Sequence, residues 1–382
     1  MPASAPGAGD DAGTALVVLR ALGLGDFVTA VPALRALERA FPGSRRVLAG
    51  PAWYRDLVDL AGVRWEVRPT EPLRTPPWWE AQPPDLAVNL HGRGPQSTAA
   101  LAELAPRRLW AHALPGEPGR PGPPWPGRVH DAEIWCGLLR AHGVRADPDD
   151  LWWPAPDGTS RPDATSAPGS TSAPSGTSHP DATSAPGSAS SPVDHSPVPL
   201  RDGTARPVSD AGAARPVSGT GSVIVHPGAS AASRRWPAER FAAVVRHLSA
   251  AGLRVLVTGS RDELPLAEHV ARAAAPARVT VLAGRTGVRE LARLVADADL
   301  VVCGDTGVAH LATAYRTPSV RLFGPVPPAL WGPRVDGDIH VCLWNGTESD
   351  PHAPVIDPGL ASITADDVLS VCSQVLSGAE RP

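Results

Sequence analysis

The segment Gly304-Asp305-Thr306-Gly307 has the composition of an anion-binding turn. The apolar run Leu300 to Cys303 precedes it and a helical pattern follows it, so the turn joins a predicted buried strand to a helix. Glycines let the backbone come close to a ligand, and the free N–H groups of the helix's first turn favour an anion. His310, in that first turn, adds a further donor. The segment therefore predicts a phosphate site; the alternative is an ordinary turn in which Asp305 or Thr306 caps the helix.

The elements around this turn follow a repeating order of strand and helix. Short β-branched runs alternate with segments whose apolar side chains recur at helical spacing. Such alternation predicts parallel sheets with helices on both faces, an α/β fold of the doubly wound type. The last predicted helix starts with Thr364 as its cap, runs to about Leu376, and could cross back to the first half of the chain. We expect the main strands at 15–19, 85–90, 222–226, 253–257 and 300–303, and the main helices at 27–41, 98–104, 132–142, 238–250 and 288–296.

A stretch of unusual composition separates two series of these elements. From about 155 to 221 the chain is rich in Pro, Ser, Ala, Gly and Thr, and PDATSAPGS and ARPVS each occur twice. A segment without a periodic apolar face cannot form a core, so we predict a disordered linker. The predicted organisation is a disordered start at 1–13, a first domain at 14–154, the linker at 155–221, a second domain at 222–360, and a C-terminal helix and tail at 361–382.

Composition and charge narrow the classes of function. The formal net charge is −4 at pH 7, so no basic field favours nucleic acid. All 35 basic residues are Arg, which together with frequent Ala, Pro and Gly suggests a GC-rich genome. The four cysteines lack a CxxC pair, and no apolar run reaches the roughly 18 residues of a membrane span. Since the start also lacks the features of a signal peptide, we expect a cytoplasmic protein with reduced thiols and no metal site.

A second loop carries polar side chains at a predicted strand end. His91, Arg93 and Gln96 follow the strand predicted at 85–90. Open α/β sheets bind ligands at the carboxyl ends of their strands, so these three residues are candidates for substrate contact. The alternative is a plain surface loop.

Taken together, four sets of motifs resemble those of a known enzyme family. They are LGLGD with VPALRAL at 22–37, HPGAS with RRWP at 226–237, TGS with DE at 258–263, and GDTGVAHL with FGP at 304–325. In this order and spacing they resemble the ADP-heptose:lipopolysaccharide heptosyltransferases, which are inverting glycosyltransferases, over both domains but not over the linker. The resemblance implies the GT-B architecture: two Rossmann-like domains face each other across a cleft, with the acceptor bound mainly by the first and the nucleotide-sugar by the second.

The resemblance implies that Asp26 is the general base. Asp26, which follows Gly25 on the acceptor side, matches the family's acidic residue after the first strand. An inverting displacement needs a carboxylate that takes the proton of the acceptor hydroxyl, and a strand-end loop would aim it into the cleft. The alternative is that Asp26 caps a helix starting at Phe27.

The resemblance also implies a donor site in the second domain. Arg234 stands where family members commonly have a phosphate-binding Lys, and the alternative is a solvated Arg at the start of a helix. Ser230 could donate to the diphosphate, and Asp262 or Glu263 would meet the ribose hydroxyls. The N–H groups of Thr306 and Gly307, with His310, would stabilise the leaving diphosphate. No DxD motif ends a strand, so we expect neither a metal nor a cofactor; the nucleoside-diphosphate sugar is the donor substrate.

The acceptor and the base and sugar of the donor stay open. Lipopolysaccharide requires an outer membrane, so a cell-wall glycan, a glycolipid or a secondary metabolite is equally open, as is peripheral contact with the inner face of the cell membrane. A non-catalytic nucleotide-sugar binding or scaffold protein is the main alternative function. An NAD-linked dehydrogenase ranks lower, because neither half has a GxGxxG followed by an acidic residue about 20 residues on.

Overall fold

The computed structural model describes residues 14–72, 82–113, 122–157, 221–274, 278–346 and 348–378. These residues form two sheets in which all paired strands are parallel. Helices pack on both faces of each sheet, so the predicted doubly wound α/β class is confirmed. The predicted disordered start, and the linker from 158 to 220, lie outside the described residues.

The first sheet has five strands in the order β3-β2-β1-β4-β5. Its register pairs Val17 with Val47 on one side and with Ala87 on the other. The strands are β1 (Ala15–Leu19), β2 (Arg45–Gly50), β3 (Glu66–Pro69), β4 (Leu86–Asn89) and β5 (Arg108–Trp110), and the helices are α1 (Leu24–Ala40), α2 (Tyr54–Leu60), α3 (Gln96–Ala102) and α4 (Asp131–Ala141).

The second sheet has six strands in the order β11-β10-β9-β6-β7-β8. Its central pair aligns Ile224 with Val301. The strands are β6 (Ser222–His226), β7 (Arg254–Val257), β8 (Val279–Val281), β9 (Leu300–Gly304), β10 (Ser319–Leu322) and β11 (His340–Leu343), and the helices are α5 (Ala238–Ala250), α6 (Leu264–Ala274), α7 (Val288–Asp297), α8 (Gly307–Ala314), α9 (Pro328–Trp331), α10 (Pro358–Ser362) and α11 (Ala365–Gly378).

Successive residues of a strand pack into different cores. On β6, Val223 and Val225 join the apolar cluster that includes α5 and α11, whereas Ile224 faces the cluster that includes α7 and α8. Side chains alternate along a strand, so a parallel sheet covered on both faces requires apolar residues at successive positions. The continuous apolar run from Val223 to Val225 within β6 is the sequence form of this requirement.

One apolar core joins the two sheets, and α1 packs directly on α8 within it. Trp153 lies beside both helices. Its ring stands edge-on to Phe27, with centroids 6.0 Å apart, and to Tyr315 at 5.8 Å. Its backbone N–H donates to the Ala314 carbonyl at 2.8 Å. These contacts fix the first turn of α1 relative to the last turn of α8.

The C-terminal helix does not return to the first sheet, so that expectation was wrong. It begins after Thr364 as predicted, where Thr364 and Asp367 exchange hydrogen bonds. Its apolar face buries Val368, Cys372 and Leu376 in the same cluster as α5 and β10. The helix therefore completes the core of the second sheet, because that sheet would otherwise leave apolar residues in water.

Candidate functional site

In each sheet, the direction in which successive strands are added reverses at the strand that comes first along the chain. In the first sheet, β2 and β3 lie on one side of β1, whereas β4 and β5 lie on the other. In the second sheet, β7 and β8 lie on one side of β6, whereas β9, β10 and β11 lie on the other. At such a switch point the loops leaving two neighbouring strands diverge, which opens the crevice where open α/β sheets bind ligands. Most of the predicted site residues follow β1 and β4 in the first sheet, or β6 and β9 in the second.

Asp26 lies in the first turn of α1. Gly23 occupies the N-cap position, and its N–H donates to Asp26 Oδ2 at 3.1 Å. The expected loop position and the N-cap alternative were both wrong, because this hydrogen bond and the helix dipole let the helix start at Leu24 instead of Phe27. The side chain of Asp26 remains 30% exposed. Burial raises the pKa of its carboxyl above the usual range, although the positive charge of Arg20 opposes that shift.

Arg20, directly after β1, is a site residue that the sequence reasoning missed. Its side chain is 1% exposed, and oxygen atoms surround the guanidinium. Nε donates to the Asp26 carbonyl at 2.9 Å, Nη1 to the Leu90 carbonyl at 2.5 Å, and Nη2 to Asp131 Oδ2 at 2.7 Å. The group also lies over the Trp135 ring, 4.9 Å from its centroid. The only signal in the sequence was a charged residue at the end of an apolar strand.

His91 lies beside the same turn, at the end of β4. The Ala21 N–H donates to His91 Nδ1 at 3.1 Å, so the hydrogen of the neutral ring is on Nε2. Burial lowers the pKa of His91 to about 4, and the ring is therefore neutral near pH 7. Asn89 Oδ1 accepts the His91 N–H at 3.0 Å and orders the loop. Arg93 and Gln96 lie farther along this segment and are exposed.

The turn after β9 brings a carboxylate, a hydroxyl and an arginine together. Asp305 is 7% exposed, and its Oδ2 lies 3.5 Å from Nη1 of Arg234, the last residue of a short 3-10 helix. Burial raises the pKa of Asp305, and Arg234 opposes the shift. Thr306 occupies the N-cap position of α8, as the capping alternative placed it, but its side chain makes no capping hydrogen bond. Among the described residues, Arg234 Nε and Thr306 Oγ1 are buried without a hydrogen-bond partner, an arrangement that favours an added acceptor.

The other residues predicted to bind the nucleotide-sugar donor differ in their exposure to solvent. Glu263 is turned inward, and its Oε2 accepts the Ser260 N–H at 2.7 Å. A Cβ at Gly228 would overlap the Glu263 carboxylate, so this glycine lets the acid approach the backbone that follows β6. Ser230 and Asp262 are exposed. Of the two acids considered for the ribose, only Glu263 is therefore held against the β6 edge of the crevice.

The first turns of α1 and α8 are in direct contact. A Cβ on Gly25 would lie 2.7 Å from His310 Cδ2. A Cβ on Gly307 would lie 2.7 Å from Leu24 Cβ and 3.1 Å from the Gly25 nitrogen. Glycine at both positions permits this approach. Gly25, predicted on the acceptor side, is thus adjacent to His310, predicted on the donor side.

Two helix N-termini and two carboxylates therefore lie close together. Each N-terminus carries a partial positive charge from its free N–H groups, which favours an anion. Asp26 and Asp305 are near enough that the charge of Asp26 contributes to raising the pKa of Asp305. Burial lowers the pKa of His310 to about 3, so its ring is neutral near pH 7 and is a hydrogen-bond donor without charge. The arrangement can hold an anion and place a carboxylate beside it.

Arg321 on β10 is a second buried charge that the sequence reasoning missed. It is fully buried, with Nε donating to Ser319 Oγ and Nη2 to Thr313 Oγ1 on α8, both at 2.8 Å. Ser319 Oγ also lies 2.9 Å from His340 Nδ1. The charge of Arg321, like that of Arg234, opposes the rise that burial causes in the pKa of Asp305. An arginine between the apolar residues Val320 and Leu322 was the only signal, and its effect is to place a positive charge behind α8.

The described residues contain neither a metal-binding cluster nor a membrane-spanning helix. No group of three or more His, Cys, Asp or Glu side chains there could hold a metal ion. Nor does any helix there have the length and apolar composition to cross a bilayer. The predicted free thiols are confirmed, and three of the four cysteines are buried.

Comparison with known sequences finds a family match in the second half of the chain. Residues 199–354 match Glycosyltransferase family 9 (heptosyltransferase). The chain is 29% identical over 160 residues to lipopolysaccharide heptosyltransferase 3 of Escherichia coli K12, covering 40% of this chain and 46% of that protein. It is 33% identical over 108 residues to lipooligosaccharide heptosyltransferase 2 of Haemophilus influenzae, covering 27% and 31%. The matches thus span less than half the length of these curated relatives.

Comparison with solved structures extends the likeness to both halves. A glycosyl transferase family 9 protein from Veillonella parvula superposes with a TM-score of 0.66 at 16% identity, covering 96% of this chain and 98% of that one. Escherichia coli ADP-heptose lps heptosyltransferase II gives 0.63 at 19% identity, covering 96% and 100%. At these identities the likeness shows the fold alone, and it confirms the GT-B architecture expected from the sequence motifs.

Proposed function

We propose that this chain, whose residues 199–354 match Glycosyltransferase family 9 (heptosyltransferase), is an inverting glycosyltransferase. It would transfer a sugar from a nucleoside-diphosphate donor to a hydroxyl of a glycan or glycolipid. The observation that carries the proposal is the contact between the first turns of α1 and α8. That contact sets the Asp26 carboxylate beside the anion-favouring turn 304–307, as a direct displacement at a phosphate-linked carbon requires.

The first half of the chain would supply the general base. Asp26 takes the proton of the acceptor hydroxyl while its oxygen attacks the anomeric carbon, and the bond from that carbon to the diphosphate oxygen breaks on the opposite side. The raised pKa of the partly buried Asp26 carboxyl favours proton uptake. His91, with its hydrogen fixed on Nε2 by the Ala21 amide, would donate to an oxygen of the acceptor. Arg93 and Gln96, exposed on the same segment, stay as predicted acceptor contacts.

The second half would bind the donor and stabilise the leaving group. The departing nucleoside diphosphate takes the bonding electron pair and gains negative charge. Arg234, the free N–H groups of Thr306 and Gly307, and the neutral His310 would stabilise that charge. Ser230 and the acids Asp262 and Glu263 stay as predicted contacts of the diphosphate and the ribose. The chain's own residues would supply the hydrogen-bond donors that stabilise the leaving group, so the proposal names no cofactor.

The relatives supply the narrower proposal about substrates. The solved neighbours include ADP-heptose lps heptosyltransferase II and a heptosyltransferase with ADP, both from Escherichia coli. We therefore propose an ADP-linked heptose as donor and a lipid-linked oligosaccharide as acceptor. The acceptor would reach the enzyme at a membrane surface, consistent with peripheral contact.

The first test measures binding and transfer separately. Calorimetry with ADP, UDP and GDP identifies the base of the donor, and a transfer assay with the matching nucleotide-heptose measures turnover. We expect Arg234→Ala to weaken binding of the preferred nucleotide about 10- to 100-fold, because it loses a charge-assisted contact. The matched control is Arg278→Ala, which removes an exposed arginine at the opposite, amino end of β8 and leaves affinity unchanged.

The base is tested with an isosteric substitution. Asp26→Asn should bind the nucleotide normally and lose transfer by about 100-fold or more. Asp366→Asn, which changes an exposed acid in the first turn of α11, is the control and should transfer at the wild-type rate. If Asp26→Asn bound the nucleotide and transferred the sugar at the wild-type rate, Asp26 would not be the general base. Tight binding without transfer by the wild type to any glycolipid acceptor would favour the non-catalytic alternative.

A further inference from the structure

Asp131, a buried carboxylate at the start of α4, competes with Asp26 for the charge of Arg20. Asp131 Oδ2 accepts from Arg20 Nη2 at 2.7 Å, from Thr29 Oγ1 at 2.6 Å and from Trp135 Nε1 at 2.9 Å. Asp26 Oδ1 lies 3.4 Å from the same Arg20 Nη2. The short ion pair of Arg20 is therefore with Asp131, and its contact with the Asp26 carboxylate is long.

The other donors of Arg20 are already engaged. Its Nε and Nη1 donate to the carbonyl oxygens of Asp26 and Leu90, and its face lies against Trp135. A guanidinium is planar and its donors point in fixed directions, so it cannot turn toward the Asp26 carboxylate without breaking these bonds. Asp26 thus has a buried cation nearby that does not form a bidentate pair with it.

We propose that Asp131 is a positioning residue that keeps Asp26 basic by holding Arg20 away from its carboxylate. The proposal rests on the proposed function, since it concerns the strength of the base that function assigns. A carboxylate in a short pair with arginine is a weak proton acceptor, because the cation stabilises its charged form. Sharing the cation with Asp131 weakens that effect. Neither Arg20 nor Asp131 would touch the reacting atoms.

Removal of the Asp131 charge shifts the pKa of Asp26 in a definite direction. Burial is the main influence raising the pKa of Asp26; Arg20 lowers it and Asp131 raises it. Asp131→Asn removes a repulsion and leaves Arg20 Nη2 without its short ion pair, so the positive charge of Arg20 acts more fully on Asp26; both effects lower the pKa of Asp26. The remaining titratable groups around Asp26 are unchanged in this variant: Tyr54 on α2, Asp305 after β9 and His310 on α8.

The test is the pH profile of kcat/KM for the acceptor at saturating donor. We expect the acidic limb of Asp131→Asn to move to lower pH and its plateau to fall roughly several-fold, because a weaker base transfers the proton less readily. Asp150→Asn is the matched control: it removes the acid that pairs with Arg35 at 2.7 Å in the same half. This control should lower the melting temperature and leave the limb in place.

A second variant keeps the test decisive if Asp131→Asn does not fold. Replacing both partners, Arg20→Met with Asp131→Asn, leaves no uncompensated buried charge from this pair. Since Asp26 then loses its only described ion-pair partner, its acidic limb should move to higher pH, opposite to the single variant. An unmoved limb in either folded variant, or a shift of the wrong sign, overturns the proposal. Full activity of Asp26→Asn would instead overturn the proposed function.

Discussion

The contact between α1 and α8 predicts that Gly307→Ala forces the two helices apart. The new Cβ would lie 2.7 Å from Leu24 Cβ, whereas carbon atoms pack best at about 3.5–4.0 Å, so roughly 1 Å of movement is needed. The neighbours are Leu24 Cβ and the Gly25 nitrogen, and no side-chain rotation moves either of them. Overpacking of this kind costs about 1–3 kcal/mol. The displaced turn carries the proposed diphosphate donors, so transfer should also fall about 100-fold.

Urea unfolding followed by circular dichroism measures the stability, and the transfer assay measures the consequence. The control is Gly137→Ala inside α4, where the new Cβ meets atoms no closer than 3.8 Å. It should stabilise by about 0.5–1 kcal/mol, because alanine loses less backbone entropy in a helix than glycine. If Gly307→Ala were as stable and as active as Gly137→Ala, the close packing of the two first turns would be refuted.

Two further predictions concern pH and the linker. Burial lowers the pKa of His340 to about 2, so between that value and about 6.5 the unfolded state binds more protons and stability falls as pH decreases, by up to about 1.4 kcal/mol per pH unit. His340→Asn should reduce this slope in urea unfolding compared at pH 7 and 5; an unchanged slope contradicts the assignment. Deletion of 160–215 should leave the melting temperature and activity near normal, because loop closure depends weakly on length; a large fall in melting temperature counts against the predicted boundary.

Local sequence patterns were sufficient for most of the fold. The strand Ser222–His226 and the helix Ala238–Ala250 have the bounds expected from apolar runs and helical spacing. Two short strands, Arg108–Trp110 and His340–Leu343, were not predicted. Both lie at sheet edges and pair with one neighbour. Three or four residues give no measurable periodicity, so it is the neighbouring strand that defines them.

Local patterns also suggested the turn from Asp305 to His310, because glycines between a strand and a helix have a direct physical meaning. They did not fix the first residue of α1. Leucine and glycine at 24 and 25 carry no helix-start signal, and the Gly23 to Asp26 hydrogen bond decides that the helix begins there. The roles assigned to the site residues stay predictions.

The sequence by itself determined the alternation of strands and helices, the family resemblance and the residues of both switch-point loops, since these depend on neighbours within a few positions along the chain. Only the tertiary structure decided that Arg20 pairs with Asp131, 111 positions away, and that Gly25 meets His310. Packing of α1 on α8 and of α4 on α1 creates those contacts. No local pattern encodes them, because a buried charge is compatible with the fold only where distant segments supply its partners.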